Sequence, residues 1–330
     1  MSEQTLASPA TPSHQPSSSN WWQALTLHER SAGTAATGVV AGDADRATGR
    51  LARWRAETPF LDDDAFAERC QAEGFTPEQL TALLGEAPAA LQQRQTETLS
   101  WLTELDTAYG DAQTDDAPEE EGRSSNGFLV LVEPLLRWAA LQLRRRLQAD
   151  NTNTEAAIFT LDFAAQTLRT TLADQLPRLL ERTLVLEMHV ARLQGFLPGA
   201  TPAERFADFV NRLRDRSVAL ALLEEYPVLA RQLMTKVHQT TTAIAEILTR
   251  LTHDWPTLLT TFHDGDNPGA LVELAIGAGD THREGGRLPS CALPMTCAWS
   301  TNPGPLPLTC IFRSCWSGST SRAPNRPSAR

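Results

Sequence analysis

Few residues in this chain combine types and spacing suited to chemistry. Asp280 and His282 stand two apart, beside Gly277, Gly279, Gly285 and Gly286, directly after the apolar run Leu271–Ile276. A carboxylate and an imidazole at the mouth of one strand-like segment could share acid–base work in a cleft. Gly277-Ala278-Gly279 resembles the start of a dinucleotide fingerprint, but His282 stands where the third glycine belongs and no strand–helix–strand unit follows. Asp264-Gly265-Asp266-Asn267 resembles a calcium loop. Pro268 occupies the third ligand position and Ala275 the place of the bidentate glutamate, so the loop fails. Cys291, Cys297, Cys310 and Cys315 are separated by five, twelve and four residues, and the first gap is too wide for a usual structural zinc pair. Cys70 stands alone. His253 and His263 are single histidines near acids and read as polar turn residues.

The elements that would position these residues are helical. Thr76-Pro77-Glu78-Gln79 and Thr201-Pro202-Ala203-Glu204 each place a hydroxyl to accept an unpaired backbone N–H, and an amide or acid to reach back. Segments 50–55, 62–73, 133–148, 154–171 and 176–194 read as helices. Leu180, Leu184, Met188 and Ala191 lie on one face of the last of these. Residues 216–247 form a long helical stretch that Pro227 should break, and Asp254–Pro256 should end the next helix. Asp111–Gly127 is acidic and polar and reads as a surface loop. Leu271–Ile276 is the one candidate strand. The expected fold class is mainly α.

Composition narrows the function further. A net charge of −11 argues against general nucleic-acid binding, which needs a basic face. The basic run Arg144–Arg146 reads as a solvated helix face. Residues 1–20 are polar and are expected to be disordered, without the apolar run of a signal peptide. The longest apolar stretch, Phe128–Leu136, is too short to span a bilayer and contains Glu133 and Pro134. A cytoplasmic protein is expected. After residue 285 the composition changes: residues 286–330 contain no Asp, Glu or Lys, whereas the rest carries all 40 acids. They contain seven Pro, seven Ser and four Cys, with no apolar period. That tail is expected to be disordered.

Several longer strings resemble one family. Leu184-Val185-Leu186-Glu187 with Val190-Ala191-Arg192-Leu193-Gln194-Gly195 resembles the LELNVARLQG helix of class II lanthipeptide synthetases of the LanM type. Thr201-Pro202 with Glu204-Arg205-Phe206 resembles that family's TPEERF. Glu225-Tyr226-Pro227-Val228-Leu229-Ala230-Arg231 resembles its EYPVLAR, and Gly279-Asp280-Thr281-His282 with Gly285 its GDxHxxGR. Trp21-Trp22 and Arg53-Trp54-Arg55 with Phe60 also fit. The resemblance covers residues 21–285.

The resemblance implies the helical N-terminal part of a lipid-kinase-like dehydratase domain. In the family this domain phosphorylates Ser and Thr of a precursor peptide with ATP and magnesium, then eliminates phosphate. A separate zinc-dependent cyclase domain forms the thioether rings. The elimination role carries over to Asp280 and His282. No cofactor-binding or metal-binding residue is assigned in this chain. The family's next motif, LVYKPR, with its ATP-contacting lysine, does not follow in frame. Reading each codon's third base with the first two of the next, Cys297–Gly304 is compatible with Arg-Leu-Val-Tyr-Lys-Pro-Arg. Cys310–Thr320 is likewise compatible with His-Phe-Gln-Glu-Leu-Leu-Glu-Trp-Leu-Asn, and Cys315 into Trp316 permits only Leu at its position. The expectation is therefore a frame shift near Gly285–Arg287, a non-native tail over 286–330, and a truncated chain inactive by itself. The alternative is a non-enzymatic helical module that binds a precursor peptide.

Overall fold

The computed structural model describes residues 20–37, 42–57, 62–94, 99–110, 127–149, 158–262, 264–276, 289–293 and 308–310. They are mainly helical. The helices are α1 Leu27–Thr37, α2 Ala44–Glu57, α3 Asp63–Ala72, α4 Pro77–Gly85, α5 Pro88–Arg94, α6 Ser100–Gly110, α7 Glu133–Ala149, α8 Leu161–Gln175, α9 Pro177–Leu193, α10 Pro202–Leu213, α11 Arg216–Glu225 and α12 Pro227–Phe262. Short 3-10 turns at Asn20–Ala24 and Gly127–Val132 precede α1 and α7. The strands are β1 Glu273–Ile276, β2 Pro289–Leu293 and β3 Leu308–Cys310. Among the described residues no helix is long and apolar enough to cross a membrane. The chain divides into two compact units, one of residues 1–106 with 211–232, the other of 107–210 with 233–330.

In the first unit, local chemistry sets the helix ends. The Thr76 hydroxyl accepts from the Gln79 N–H at 3.2 Å, and the Gln79 side chain accepts from the Thr76 N–H at 2.9 Å. The expected capping box is complete, and it starts α4 without an unpaired amide. The other end of α4 is closed by α2: the Asp43 N–H donates to the Gly85 carbonyl at 3.0 Å, and Arg50 donates to that of Leu84 at 2.9 Å. A Cβ on Gly85 would lie 2.9 Å from the Asp43 carbonyl oxygen, so only glycine permits this approach. Phe66, Cys70 and Leu80 form a small core beneath, with Leu27, Leu51 and Leu84 around it. Burial raises the Cys70 thiol pKa, with the Glu78 charge adding to it, which suits a packing role.

The second unit rests on leucines at helical spacing. Leu135, Ala139, Leu143 and Leu147 of α7 are fully buried, as are Leu168 and Leu172 of α8, against which α7 packs. Leu176, Leu180 and Leu184 continue the row into α9. Tyr109 is buried too, and its hydroxyl donates to the Leu131 carbonyl at 2.6 Å. Phe128 stacks edge-on against Phe206 and Phe209 of α10. Thr201 and Glu204 form the second reciprocal cap: the Glu204 N–H donates to the Thr201 hydroxyl at 3.2 Å, and the Thr201 N–H to the Glu204 carboxylate at 2.9 Å. Arg144 pairs with Asp162 and Arg146 donates to the Thr242 hydroxyl, while Arg145 is exposed, as a solvated face requires.

Several boundaries differ from expectation, among them that of α2, which begins at Ala44 rather than Arg50. α8 begins at Leu161 rather than near 154, because Thr160 is extended and its hydroxyl caps the Phe163 N–H; residues 154–157 lie outside the described residues. Gly127 belongs to the 3-10 turn, not to the loop before it. α12 does not end at Asp254–Pro256 but continues to Phe262 with Pro256 inside it. An interior proline forfeits one helix bond and costs about 3 kcal/mol. Here Trp255 and Leu251 are buried on the same helix, and Thr260 and Thr261 donate to the Pro256 and Thr257 carbonyls. Beyond Pro256 the last turns of the helix are exposed or half-buried. Lastly, β2 and β3 lie within the tail that was expected to lack regular structure. They pair antiparallel, Glu273 to Ala292 and Ile276 to Pro289, then Cys291 to Cys310. A ladder is made by backbone groups and requires no side-chain period. Pro289 sits at a strand start, where its missing N–H is tolerated.

Candidate functional site

The segment that carries the candidate chemistry begins at Tyr226. This residue leaves the helical region (φ −116, ψ 63) and ends α11, and Pro227 restarts the chain as α12. The expected break at Pro227 is thus present. α12 buries one side through Leu233, Met234, Val237, Ile244, Leu248 and Trp255. It is followed by a turn in which Asp264 and Gly265 take positive φ, 52 and 89. Asn267 accepts from the Gly269 N–H at 3.0 Å, which turns the chain towards β1. Leu271 and Leu274 are buried, and the Leu271 N–H donates to the Ile158 carbonyl at 2.6 Å. This anchors β1 beside the start of α8.

Asp280 and His282 lie outside the described residues. In chain order they fall between Ile276, the end of β1, and Pro289, its register partner at the start of β2. Residues 277–279 and 285 of the same motif lie outside as well, as do His263, Cys297 and Cys315. His253 is exposed on α12 rather than in a turn, since that helix runs on past it. Among the described residues no three His, Cys, Asp or Glu side chains come together to hold a metal ion. The single lysine of the chain, Lys236, lies half-buried within α12.

One polar cluster was not anticipated. Arg231, one turn into α12, makes a bidentate pair with Glu29 of α1, Nη2 to Oε1 at 3.0 Å and Nη1 to Oε2 at 3.3 Å. Its guanidinium lies 5.2 Å from the centre of the Trp101 ring, and Trp21 meets that ring edge-on at 5.6 Å. Burial alone would raise the Glu29 pKa, but the Thr26 N–H and the Arg231 guanidinium hold it below the ordinary value. All four residues belong to the first unit. The cluster ties α1, α6 and α12 to the 3-10 turn at Trp21, a structural role consistent with a paired and partly buried charge. Arg231 lies in the Glu-Tyr-Pro-Val-Leu-Ala-Arg string, but Glu29 is 202 residues away, beyond any local spacing rule.

The pair predicts a pH dependence. Glu29 has a lowered folded pKa, so its contribution is complete above the ordinary glutamate range and is lost as pH falls through the folded value. Arg231→Met leaves the half-buried Glu29 carboxylate with the Thr26 N–H and hydroxyl but without its cation, and should cost about 1–3 kcal/mol near neutral pH. The loss should shrink as pH falls below the ordinary glutamate range, as Glu29 becomes protonated in both proteins. Urea midpoints of both proteins across that range check this, and an equal deficit at every pH would contradict it.

Fold and segment together define a mainly helical chain whose longest helix runs through a turn into a small antiparallel sheet. A family model described as a domain of unknown function, DUF4135, matches residues 226–289, which is the stretch from the α11–α12 break to the start of β2. That domain is found in lanthipeptide synthetases. No curated protein matches the chain.

Proposed function

We propose that this chain is the N-terminal part of a class II lanthipeptide synthetase of the LanM type, from the dehydratase domain. The observation that supports the reading is the extent of the DUF4135 match, Tyr226 to Pro289. It contains both the Tyr-Pro-Val-Leu-Ala-Arg string and Gly-Asp-Thr-His, two of the motifs on which the resemblance rests. The parent activity would be dehydration of Ser and Thr in a precursor peptide. Phosphate is first transferred from ATP to the side-chain hydroxyl. In the elimination that follows, a base removes the Cα proton, that electron pair becomes the Cα–Cβ double bond, and phosphate leaves from Cβ. Asp280 and His282 are the residues we assign to elimination.

We further propose that the reading frame changes near Gly285–Arg287. The acid-free composition of residues 286–330 and the two family strings permitted by the shifted frame support this. The four cysteines beyond 290 are then accidents of translation. Phosphoryl transfer relies on placed cations to stabilise charge on the transferring group. The motif that carries the family's ATP lysine is not present in the frame as read, so the chain as it stands should not dehydrate any peptide.

The test uses the coding DNA. Removing two bases or adding one near codons 285–287 should open a long frame encoding Tyr-Lys-Pro-Arg. The protein expressed from the restored frame should dehydrate a LanM-type precursor with ATP and magnesium, read as loss of water by mass spectrometry. The unrestored chain should give unmodified peptide. A downstream region without such a frame, or dehydration by the unrestored chain, would overturn the proposal.

A further inference from the structure

β2 and β3 bring two cysteines to one place in the sheet. Their antiparallel register sets Cys291 directly opposite Cys310, with Ala292 opposite Thr309 and Leu293 opposite Leu308. Leu274 of β1 lies opposite Cys291 in turn, so one row across the sheet runs Leu274, Cys291, Cys310. Opposed residues of an antiparallel pair share one face of the sheet. Their Cα atoms stand about 4.5 or 5.5 Å apart, according to whether the pair exchanges hydrogen bonds. A disulfide spans Cα separations of about 4.4–6.8 Å, so either setting lies within its reach. Sequence spacing alone favours other partners. Cys297 is six residues from Cys291 and Cys315 is five from Cys310, whereas Cys291 and Cys310 are nineteen apart. In a chain without fixed structure the shorter loops close more readily, by roughly fivefold here. The pairing of β2 with β3 reverses that preference.

We propose that Cys291 and Cys310 form a reversible disulfide that staples β3 to β2. The co-reactant is a low-molecular-weight disulfide such as oxidised glutathione. One cysteine thiolate attacks a sulfur of that disulfide and releases one small thiolate. The other cysteine then attacks the protein sulfur of the mixed disulfide and releases the second. Two cysteine thiols are oxidised, one small disulfide is reduced to two thiols, and the two cysteine protons pass to the released thiolates. Where thiols are kept reduced, the pair stays open. β3 is three residues long and is joined to β2 through residues 294–307, so few ladder bonds oppose its opening. The bridge opposes it by restricting the opened chain. A one-residue slip of β3 would set Cys310 opposite Ala292 or Ser290, on the other face of the sheet, and would forbid the bridge. Cys70 takes no part, since it is buried in the core of the first unit. The inference concerns the chain as read and does not depend on the parent activity proposed above. Cysteines that arise from a changed frame oxidise like any others once the backbone opposes them.

The experiment equilibrates the full chain with reduced and oxidised glutathione, once in native buffer and once in concentrated urea. Free thiols are then blocked with N-ethylmaleimide. Bridges are mapped by mass spectrometry after chymotrypsin, whose cut at Trp299 parts Cys291 and Cys297 from Cys310 and Cys315. In native buffer the Cys291–Cys310 bridge should dominate. In urea the neighbour bridges Cys291–Cys297 and Cys310–Cys315 should replace it, each favoured by roughly fivefold. The variant Cys297→Ser, Cys315→Ser keeps three of the five cysteines (5 − 2 = 3) and should still lose two thiols on oxidation in native buffer. Adding Cys291→Ser to it should leave no bridge within the chain. Neighbour bridges dominating in native buffer, the same mixture in both solvents, or a double variant that keeps all its thiols at an oxidising poise would each overturn the proposal. So would a bridge that joins two chains in place of one within the chain.

Discussion

In the frame-restored enzyme, Asp280→Ala and His282→Ala should each convert the product from dehydrated peptide to phosphorylated peptide. Phosphorylation and elimination are separate steps with a phosphopeptide between them. The first step depends on groups that bind ATP and its metal, which the resemblance places downstream of residue 285. The second needs a base at Cα and stabilisation of the departing phosphate, and one such group is typically worth about 10²–10⁴-fold. Loss of either residue should therefore slow elimination by that order and leave phosphate transfer nearly intact. Mass spectrometry separates the two results, because a retained phosphate adds mass where dehydration removes it. If the two residues instead hold the turn after Leu271–Ile276, both steps should fail together, with loss of folded protein. Dehydration at the wild-type rate in both variants would remove them from the mechanism.

Leu143→Ala should destabilise the protein strongly. Leu143 is fully buried in α7, one turn from Ala139 and one from Leu147, both also buried, and α7 packs on α8. Removing three carbons there forfeits transfer free energy and leaves a cavity, and such changes cost about 2–5 kcal/mol. That is a large share of the roughly 5–15 kcal/mol by which domains are stable. Leu193→Ala is the matched control, a leucine with 74% of its surface exposed, and it should change stability by less than about 0.5 kcal/mol. Thermal melts of the two variants beside wild type check the contrast. Equal losses would mean that the α7–α8 leucines do not form the core of their unit.

Features that depend on neighbours in the chain were legible from sequence alone. Thr76 with Gln79, and Thr201 with Glu204, are three residues apart, and the backbone groups they satisfy belong to the same turn. Pro227 acts on the residue before it, so the break at Tyr226 follows from covalent geometry. The 3.6-residue period placed Leu180 and Leu184 inside, because a helix must turn its apolar stripe towards other apolar surface. The motif around Asp280 and His282 is likewise a property of sequence, as is the loss of acids after residue 285.

Other features were decided by parts of the chain meeting across long separations. Pro256 carries a local signal to stop, yet α12 continues through it to Phe262. Glu29 and Arg231 are unremarkable polar residues until folding puts one guanidinium against one carboxylate and over Trp101. β2 and β3 have no alternating pattern to announce them, since backbone pairing of β2 with β1 and of β3 with β2 defines them. The open side of α9 belongs to the same class. Its period identified a helix and its inward face, but only the packed structure shows that Val185, Leu186 and Leu193 stay exposed, because burial depends on what the rest of the chain brings against them.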